Sequence, residues 1–251
     1  MPGKRLEQYR SFLKDRIRLE TDFSATGQSR GIPPPPAEKP FSPGAKRISL
    51  IAKADWKSIQ PVSLIEAIAA RQSHRHFRNE PLSLEELSFL LWATQGLRKK
   101  AEHGTAFRTV PSAGCRHALE TYLCVMNITD LDSGLYRYLP FSHELVLERP
   151  EPDIREKVAI AALGQTFVGL AAVTFIWTAI PSRMEWRYGL ASHKVIALDA
   201  GHVCQNLYLA CAAVRAGTCA VAAYHQDLMD ELLGVDGTEE FAIYLAPVGR
   251  I

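Results

Sequence analysis

The stretch Ser63 to Phe77, SLIEAIAARQSHRHF, contains the pattern from which the fold can be predicted. Ser63 and Glu66 have the spacing of a capping box, which predicts an apolar helix running to about Arg71. The polar residues that follow it directly are Arg71, Gln72, Ser73 and Arg75. Two guanidinium groups and a hydroxyl at a helix exit suit a phosphate and a polar ring edge. The alternative on this pattern alone is a solvated basic helix end, stabilised by the helix dipole.

Helical and strand-like runs alternate irregularly along the rest of the chain. A second capping box, Ser83 to Glu86, opens an apolar helix. The other predicted helices are 6–18, 154–163, 195–214 and 227–234, and the predicted strands are 121–126, 135–139, 144–148, 172–178, 218–223 and 241–248. Gly217 is the predicted left-handed stop after the 195–214 helix. Because no regular strand–helix–strand repeat is present, the pattern favours an α+β fold over a doubly wound sheet.

Composition and charge exclude several classes of function. The chain has 251 residues, of which 47% are hydrophobic and 22% charged, and its formal net charge is +2. This balance gives no electrostatic basis for binding nucleic acid or an anionic membrane. The chain has five cysteines and no C-x-x-C pair, which argues against a disulfide scaffold and against a zinc site. No apolar leader or membrane span is visible, so a cytoplasmic location is expected.

The first 60 residues differ in composition from the remainder. Four consecutive prolines, Pro33 to Pro36, favour polyproline II and cannot join a helix or a central strand. We therefore predict an arm lying over the surface in residues 1–60, after a short helix, and a folded domain in residues 61–251.

Three further motifs combine small residues with polar ones. Pro111-Ser-Ala-Gly114 allows a close backbone approach to a planar ligand, or is an ordinary capped helix start. The small residues from Gly217 to Tyr224 leave room for a flat group, or pack tightly in a small core. In Pro247-Val-Gly-Arg250, Gly249 allows a close approach, and Arg250 could reach the phosphate proposed for Arg71.

Taken in order, these motifs resemble the nitroreductase superfamily. Between Arg71 and Arg250 the motifs follow one another in the order R-x-S-x-R-x-F, P-S-A-G-x-R-H, D-A-G-H-x-x-Q-N-L-Y-L-A, G-T-C-x-V and P-V-G-R, and the resemblance as a whole covers roughly residues 30 to 251. The proline-rich arm with EKPF is similar to the SagB-type dehydrogenase branch. The resemblance implies a nitroreductase-like FMN-binding fold, with a central, mainly antiparallel sheet flanked by helices, in an intertwined homodimer whose FMN sites lie at the subunit interface.

The resemblance also implies roles for individual residues. The R-x-S-x-R segment would hold the FMN phosphate and ring edge, with Arg250 contacting the phosphate. Pro111, Ser112 and Ala113 would reach the flavin from the other subunit, and the backbone of Ala222 and Ala223 would lie against the ring. The cofactor-binding candidates are Arg71, Gln72, Ser73, Arg75, Pro111, Ser112, Ala113, Ala222, Ala223, Gly249 and Arg250.

One departure from the SagB-type pattern bears on the chemistry. Enzymes of that branch that oxidise azolines carry a Lys-Tyr pair before D-A-G-H, whereas this chain has Arg187 and Tyr188. Because arginine stays protonated, it cannot act as a general base. The pair remains the catalytic candidate, as an orienting or anchoring group for an anionic substrate, or else a surface turn near the pocket mouth. Asp199 and His202 lack a third ligand, so no metal site is predicted.

The function expected from these residues is FMN-dependent oxidoreduction. The first hypothesis is hydride transfer between NAD(P)H and a small organic acceptor such as a nitroaromatic or a quinone. The second is a SagB-type dehydrogenase or oxidase acting on a peptide-derived azoline. The third is a flavin-binding or flavin-free partner protein without turnover, docking through its proline-rich arm.

Overall fold

A central antiparallel sheet organises the molecule. The computed structural model describes residues 2–100 and 106–251. Within them the main-sheet strands are β1 (Arg47–Ser49), β4 (Leu119–Val125), β5 (Gly134–Leu139), β6 (Glu144–Pro150), β7 (Val173–Ala179), β8 (Ala216–Thr218) and β9 (Phe241–Arg250), while β2 (Leu97–Lys100) and β3 (Ala106–Arg108) form a separate ribbon. The order is β1-β6-β5-β4-β7-β9-β8, and each neighbouring pair is antiparallel. The predicted α+β class with a mainly antiparallel sheet is confirmed.

Helices cover both faces of this sheet. They are α1 (Pro2–Leu13), α2 (Ile17–Glu20), α3 (Leu64–Ala70), α4 (Leu84–Gln95), α5 (Ile154–Ala161), α6 (Thr166–Leu170), α7 (Ser182–Tyr188), α8 (Ser192–Ala213) and α9 (Gln226–Leu233). Strand β4 shows how sequence alternation divides the core. Leu119 and Leu123 belong to the hydrophobic cluster with α4 and α8, whereas Tyr122 and Cys124 belong to the cluster with α5 and α9. Across the described ranges, no helix combines the length and apolar content needed to traverse a lipid bilayer.

Local signals placed most of the predicted boundaries within three residues of the observed ones. The capping box at Ser83 is complete: its hydroxyl accepts from the Glu86 N–H, and the Glu86 carboxylate accepts from the Ser83 N–H over 2.7 Å. At Ser63 the hydroxyl accepts from the Glu66 N–H. The predicted helix 6–18 is divided, because α1 ends at Leu13 and α2 begins four residues later.

Two predictions around the end of α8 are wrong. The predicted strand 218–223 ends at Thr218, and the following residues form an irregular segment with an isolated bridge from Val221 to β9. Gly217 is not the left-handed stop, since it lies in β8 and Arg215 has the positive φ of 51°. The chain therefore reverses two residues earlier than predicted and enters the sheet at once.

Part of the proline-rich arm is built into the sheet edge. Strand β1 pairs with β6, so the arm contributes an edge strand. Just before it, the fully buried guanidinium of Arg137 donates to the carbonyls of Lys39 (2.8 Å) and Pro40 (3.0 Å). Arg108 likewise donates to the Ala37 carbonyl over 2.8 Å. Buried donors that need these carbonyls attach the arm to the body, while the domain boundary near residue 60 stays a prediction.

Candidate functional site

The segment from Arg71 to Arg78 runs along the sheet end formed by β8 and β9. Ser73 lies opposite Thr218 of β8, and the His74 N–H donates to the Thr218 carbonyl over 2.9 Å. Further along, the Arg78 N–H donates to the carbonyl of Arg250 in β9 over 3.0 Å. The structure thus brings three motifs that are distant in sequence to one end of the sheet.

Two glycines at this sheet end are accounted for by packing within the chain. A Cβ atom at Gly217 would lie 2.7 Å from the Cγ atom of His74. A Cβ atom at Gly249 would lie 2.9 Å from the Cγ atom of Phe77. Since real Cβ atoms do not approach that closely, any larger residue would displace the loop after α3. The small residues therefore serve close packing of backbone and side chains.

Tyr208 of α8 connects the loop after α3 to the segment after β8. Its hydroxyl lies 2.8 Å from the Ser73 Oγ and accepts from the Ala220 N–H, also over 2.8 Å. The guanidinium of Arg71 lies 5.3 Å from the centre of the Tyr208 ring, within cation–π range. Sequence reasoning missed Tyr208 as a site residue, although it is the tyrosine of the quoted N-L-Y motif. We call Arg71–Arg75, Tyr208, Thr218 and Ala220 the arginine-loop group.

The arginine-loop group presents positive charge that the described part of the chain does not neutralise. Arg71, Gln72 and Arg75 are exposed. Arg71 stacks on Tyr208, and Arg75 lies 6.0 Å from the Phe167 ring centre, but neither has a carboxylate partner within residues 2–100 and 106–251. Beneath them the Thr218 hydroxyl is buried and, among described atoms, has no hydrogen-bond partner. The group is therefore able to accept an oxyanion.

Arg250 has a different environment from Arg71. Its guanidinium donates to the Glu86 carboxylate over 2.7 Å and to the Val214 carbonyl over 2.6 Å. A cavity of about 400 Å³ beside this pair is also lined by Arg78 and Arg215. The charge of Arg250 is thus already matched by a carboxylate, and the pair connects β9 to the first turn of α4. Its contact with a phosphate stays a prediction.

Ala222 and Ala223 are exposed on the irregular segment after β8. The Ala223 carbonyl accepts from the Gln165 side chain over 2.8 Å. Ala222 borders a cavity of about 510 Å³, whose mainly apolar lining includes Tyr244 and Phe12 of α1. The two residues predicted to face a flat ligand are therefore exposed.

The Pro111–Gly114 motif opens a strained turn that continues to His117 and is held by α8. Gly114, Cys115 and His117 all have positive φ values, of 57°, 57° and 49°. The Asp199 carboxylate accepts from the Ala113 N–H, with its nearer oxygen at 3.2 Å. Burial raises the pKa of Asp199, against the lowering effect of its hydrogen bonds to Ser112 and Ala113. A left-handed residue other than glycine costs energy, so these contacts are needed to hold the turn.

The Asp199 carboxylate hydrogen-bonds the turn through Ser112 and Ala113, which is a structural role and not that of a metal ligand. His202, three residues later on α8, is exposed. Among the described residues there is no grouping of three or more His, Cys, Asp or Glu side chains suited to a metal ion.

Arg187 and Tyr188 lie directly against the strained turn. A Cβ atom at Gly114 would be 2.6 Å from the Arg187 Cδ and 2.7 Å from the Tyr188 hydroxyl. The Arg187 guanidinium lies 5.5 Å from the Tyr188 ring centre. Beside them, Arg116 places its guanidinium 4.6 Å from the Trp186 ring centre. We call Pro111–Gly114, Arg116, Arg187, Tyr188 and Asp199 the glycine-turn group.

The two groups are separate within one chain. They contact α8 at Tyr208 and Asp199, which are nine residues apart. At 1.5 Å per helical residue, this spacing is about 13.5 Å along the axis. The structure thus divides most of the predicted residues between two groups and leaves the groups apart. Ala222, Ala223, Gly249 and Arg250 belong to neither group.

Comparison with known proteins gives a consistent match. The sequence profile described as Nitroreductase family matches residues 68–250. A curated Methanocaldococcus jannaschii protein, provisionally named a nitroreductase, is 34% identical over 192 residues, which cover 76% of this chain and 93% of the relative.

Solved structures show the same similarity. A Ralstonia eutropha protein, also provisionally named a nitroreductase, superposes with a TM-score of 0.68 at 29% identity, covering 86% of this chain and 93% of the other. The Escherichia coli microcin synthetase complex McbBCD contains a chain with a TM-score of 0.60 at 18% identity, covering 85% of this chain and 78% of that one. At this identity the second likeness concerns the fold alone.

Proposed function

This chain belongs to the nitroreductase family of oxidoreductases, and from that premise we propose that it is an FMN-dependent enzyme transferring a hydride between NAD(P)H and a small organic acceptor such as a nitroaromatic or a quinone. The observation that carries the proposal is the arginine-loop group. There Arg71 and Ser73 are both anchored on Tyr208, and the Arg71 guanidinium keeps its donors available.

The residues of this group fit the phosphate of FMN. A dianionic phosphate needs charged donors without internal counter-ions, and the guanidinium groups of Arg71 and Arg75 meet that requirement. The Ser73 hydroxyl and the buried Thr218 hydroxyl add polar groups at the same sheet end. Arg71, Gln72, Ser73 and Arg75 would hold the phosphate and the ring edge, and the backbone of the exposed residues Ala222 and Ala223 would lie against the ring. When bound, FMN supplies the two-electron redox chemistry that side chains cannot.

A homodimer would unite the two groups. Since the arginine-loop and glycine-turn groups lie about 13.5 Å apart along α8 in one chain, a second copy running antiparallel could place its Pro111, Ser112 and Ala113 beside the first copy's Arg71. An exposed apolar face supports such pairing: on α3, Leu64, Ile65 and Ile68 are 66%, 82% and 58% exposed. Apolar surface of this kind is typical of interfaces.

Azoline oxidation is the alternative reaction, and one substitution disfavours it. Tyr188 is retained beside the turn, but Arg187 stands where the azoline oxidases of the SagB-type branch have lysine. A permanently protonated guanidinium can anchor an anion but cannot remove a proton. Reduction of an acceptor at an exposed flavin face does not need that base, so we favour it.

The proposal is tested on the purified chain of residues 1–251. We expect a flavin absorbance spectrum, bleaching on anaerobic titration with NADH or NADPH, and reoxidation by a nitroaromatic or a quinone. Bound FMN without any reduction by NAD(P)H would favour the azoline reaction, assayed with an azoline peptide, or a non-catalytic partner. Absence of FMN binding after reconstitution would overturn the proposal.

A further inference from the structure

The glycine-turn group contains cationic donors that make few contacts within the described chain. The Arg187 guanidinium and the Tyr188 hydroxyl donate to no described atom, although both lie over Gly114. Each residue is only partly exposed. Neither donor is among the buried atoms that have no partner, so both reach solvent and are open to an incoming acceptor.

Arg116 extends this arrangement into the protein. Its side chain is buried, with 6% exposed, and its Nε atom donates to the Arg183 carbonyl over 3.2 Å. Among the described residues, its terminal nitrogens have no acceptor and no carboxylate pairs with it. Burial, and next the positive charge of Arg187, lower the pKa of Arg116.

Neighbouring Arg183 is a buried arginine whose charge is neutralised within the chain. Arg183 is also buried, but it donates to the Glu120 carboxylate over 2.5 Å. Arg116 and Arg187 have no such carboxylate partner among the described residues, and none of their nitrogens is a buried atom without a partner. Their terminal nitrogens therefore reach solvent, where an external anion can neutralise their charge.

We propose that Arg116, Arg187 and the Tyr188 hydroxyl form an anion subsite that binds a carboxylate group on the organic substrate. Two guanidinium groups and a hydroxyl match the oxygens of a carboxylate through charge-assisted hydrogen bonds. The subsite adjoins Pro111–Ala113, the segment proposed to reach the flavin, so an anchored substrate would have its reducible part near the ring. This inference rests on the proposed function, because it names the substrate class of that same site.

The experiment compares an anionic probe with its neutral analogue. Equilibrium dissociation constants for 4-nitrobenzoate and 4-nitrobenzamide are measured on the oxidised holoenzyme without NAD(P)H, followed by kcat/KM for both. We expect Arg187→Met and Arg116→Met each to weaken 4-nitrobenzoate binding at least 10-fold and to change 4-nitrobenzamide binding less than 2-fold, with Arg187→Lys recovering part of the loss. Arg98→Met, an exposed arginine on β2, is the matched control.

The outcomes distinguish failure of the anion subsite from failure of the proposed function. Equal loss for both probes, or no loss for either, overturns the inference while acceptor turnover keeps the proposed function intact. A change confined to the KM for NADPH or NADH would show that the anion is a dinucleotide phosphate, which overturns the carboxylate assignment. If no acceptor is turned over, the proposed function fails. The dissociation constants of the two probes then still test whether the subsite binds a carboxylate.

Discussion

The hydroxyl groups of Ser73 and Tyr208 lie 2.8 Å apart, although 135 residues separate them in sequence. The same Tyr208 oxygen accepts from the Ala220 N–H. One phenol on α8 therefore positions both the loop after α3 and the segment after β8, the two parts of the chain proposed to meet the cofactor.

Replacement of Tyr208 by phenylalanine should loosen this arrangement. The change leaves the Ala220 N–H and the Ser73 hydroxyl without their shared partner, which should lower the free energy of unfolding by about 1 to 2 kcal/mol. We also expect faster loss of FMN. Urea denaturation and FMN dissociation check both effects, with Tyr9→Phe, an exposed tyrosine of α1, as control. Unchanged FMN retention would show that the hydroxyl does not position the site.

Arg71 and Arg250 should respond differently to truncation. Arg71→Ala removes an uncommitted guanidinium, so FMN binding should weaken by about 1.5 to 3 kcal/mol, with little effect on folding. Arg250→Ala leaves the Glu86 carboxylate without its charged partner at a largely buried position, where only the Ser83 N–H still donates to it. That variant should lower the free energy of unfolding by about 3 kcal/mol.

The partner variant Glu86→Gln separates the two roles of Arg250. If Arg250 only stabilises the fold, Arg250→Ala and Glu86→Gln should both reduce stability and leave the FMN dissociation constant close to that of the parent protein. A large loss of FMN affinity in Arg250→Ala alone would assign Arg250 to the phosphate, as the sequence motif predicts. Calorimetric FMN titration and denaturant unfolding give the two quantities.

His117 should make the fold sensitive to acid. Burial, with added repulsion from Arg108, lowers its pKa from 6.5 to about 3. Between these values the unfolded chain binds more protons, so stability is retained above 6.5 and falls as the pH decreases through this window. The slope contributed by one such group is at most about 1.4 kcal/mol per pH unit.

Comparison across pH isolates this contribution. Between about pH 6.5 and pH 4.5, His117→Gln should lose about 2 kcal/mol less unfolding free energy than the parent protein. Using the difference between two pH values cancels the constant cost of placing glutamine at a positive φ. Parallel curves for both proteins would mean that His117 binds its proton equally well in the folded and the unfolded chain.

Ile65 should be required for assembly if the two groups meet across a dimer. Its side chain is 82% exposed on α3, and Ile65→Asp should produce a monomer that loses FMN. Leu19→Asp on α2, where the leucine is 90% exposed, provides a control of equal polarity change. Light scattering after gel filtration and flavin absorbance report both properties. A parent protein that is monomeric with FMN bound would contradict the shared site.

The sequence alone determined the class of fold, the family and most of the helices and strands, because caps, turns and periodicity are written in neighbouring residues. The capping box at Ser83 is an example, since donor and acceptor are three residues apart. Tertiary structure decided partners that are distant in sequence: Arg250 pairs with Glu86 across 164 residues, and Gly249 makes room for Phe77. Glycine and arginine each occur in several kinds of environment. The environment that Gly249 and Arg250 have here follows from how the end of the sheet packs. The separation of the two groups along α8 likewise follows from three-dimensional packing, which motif order does not specify.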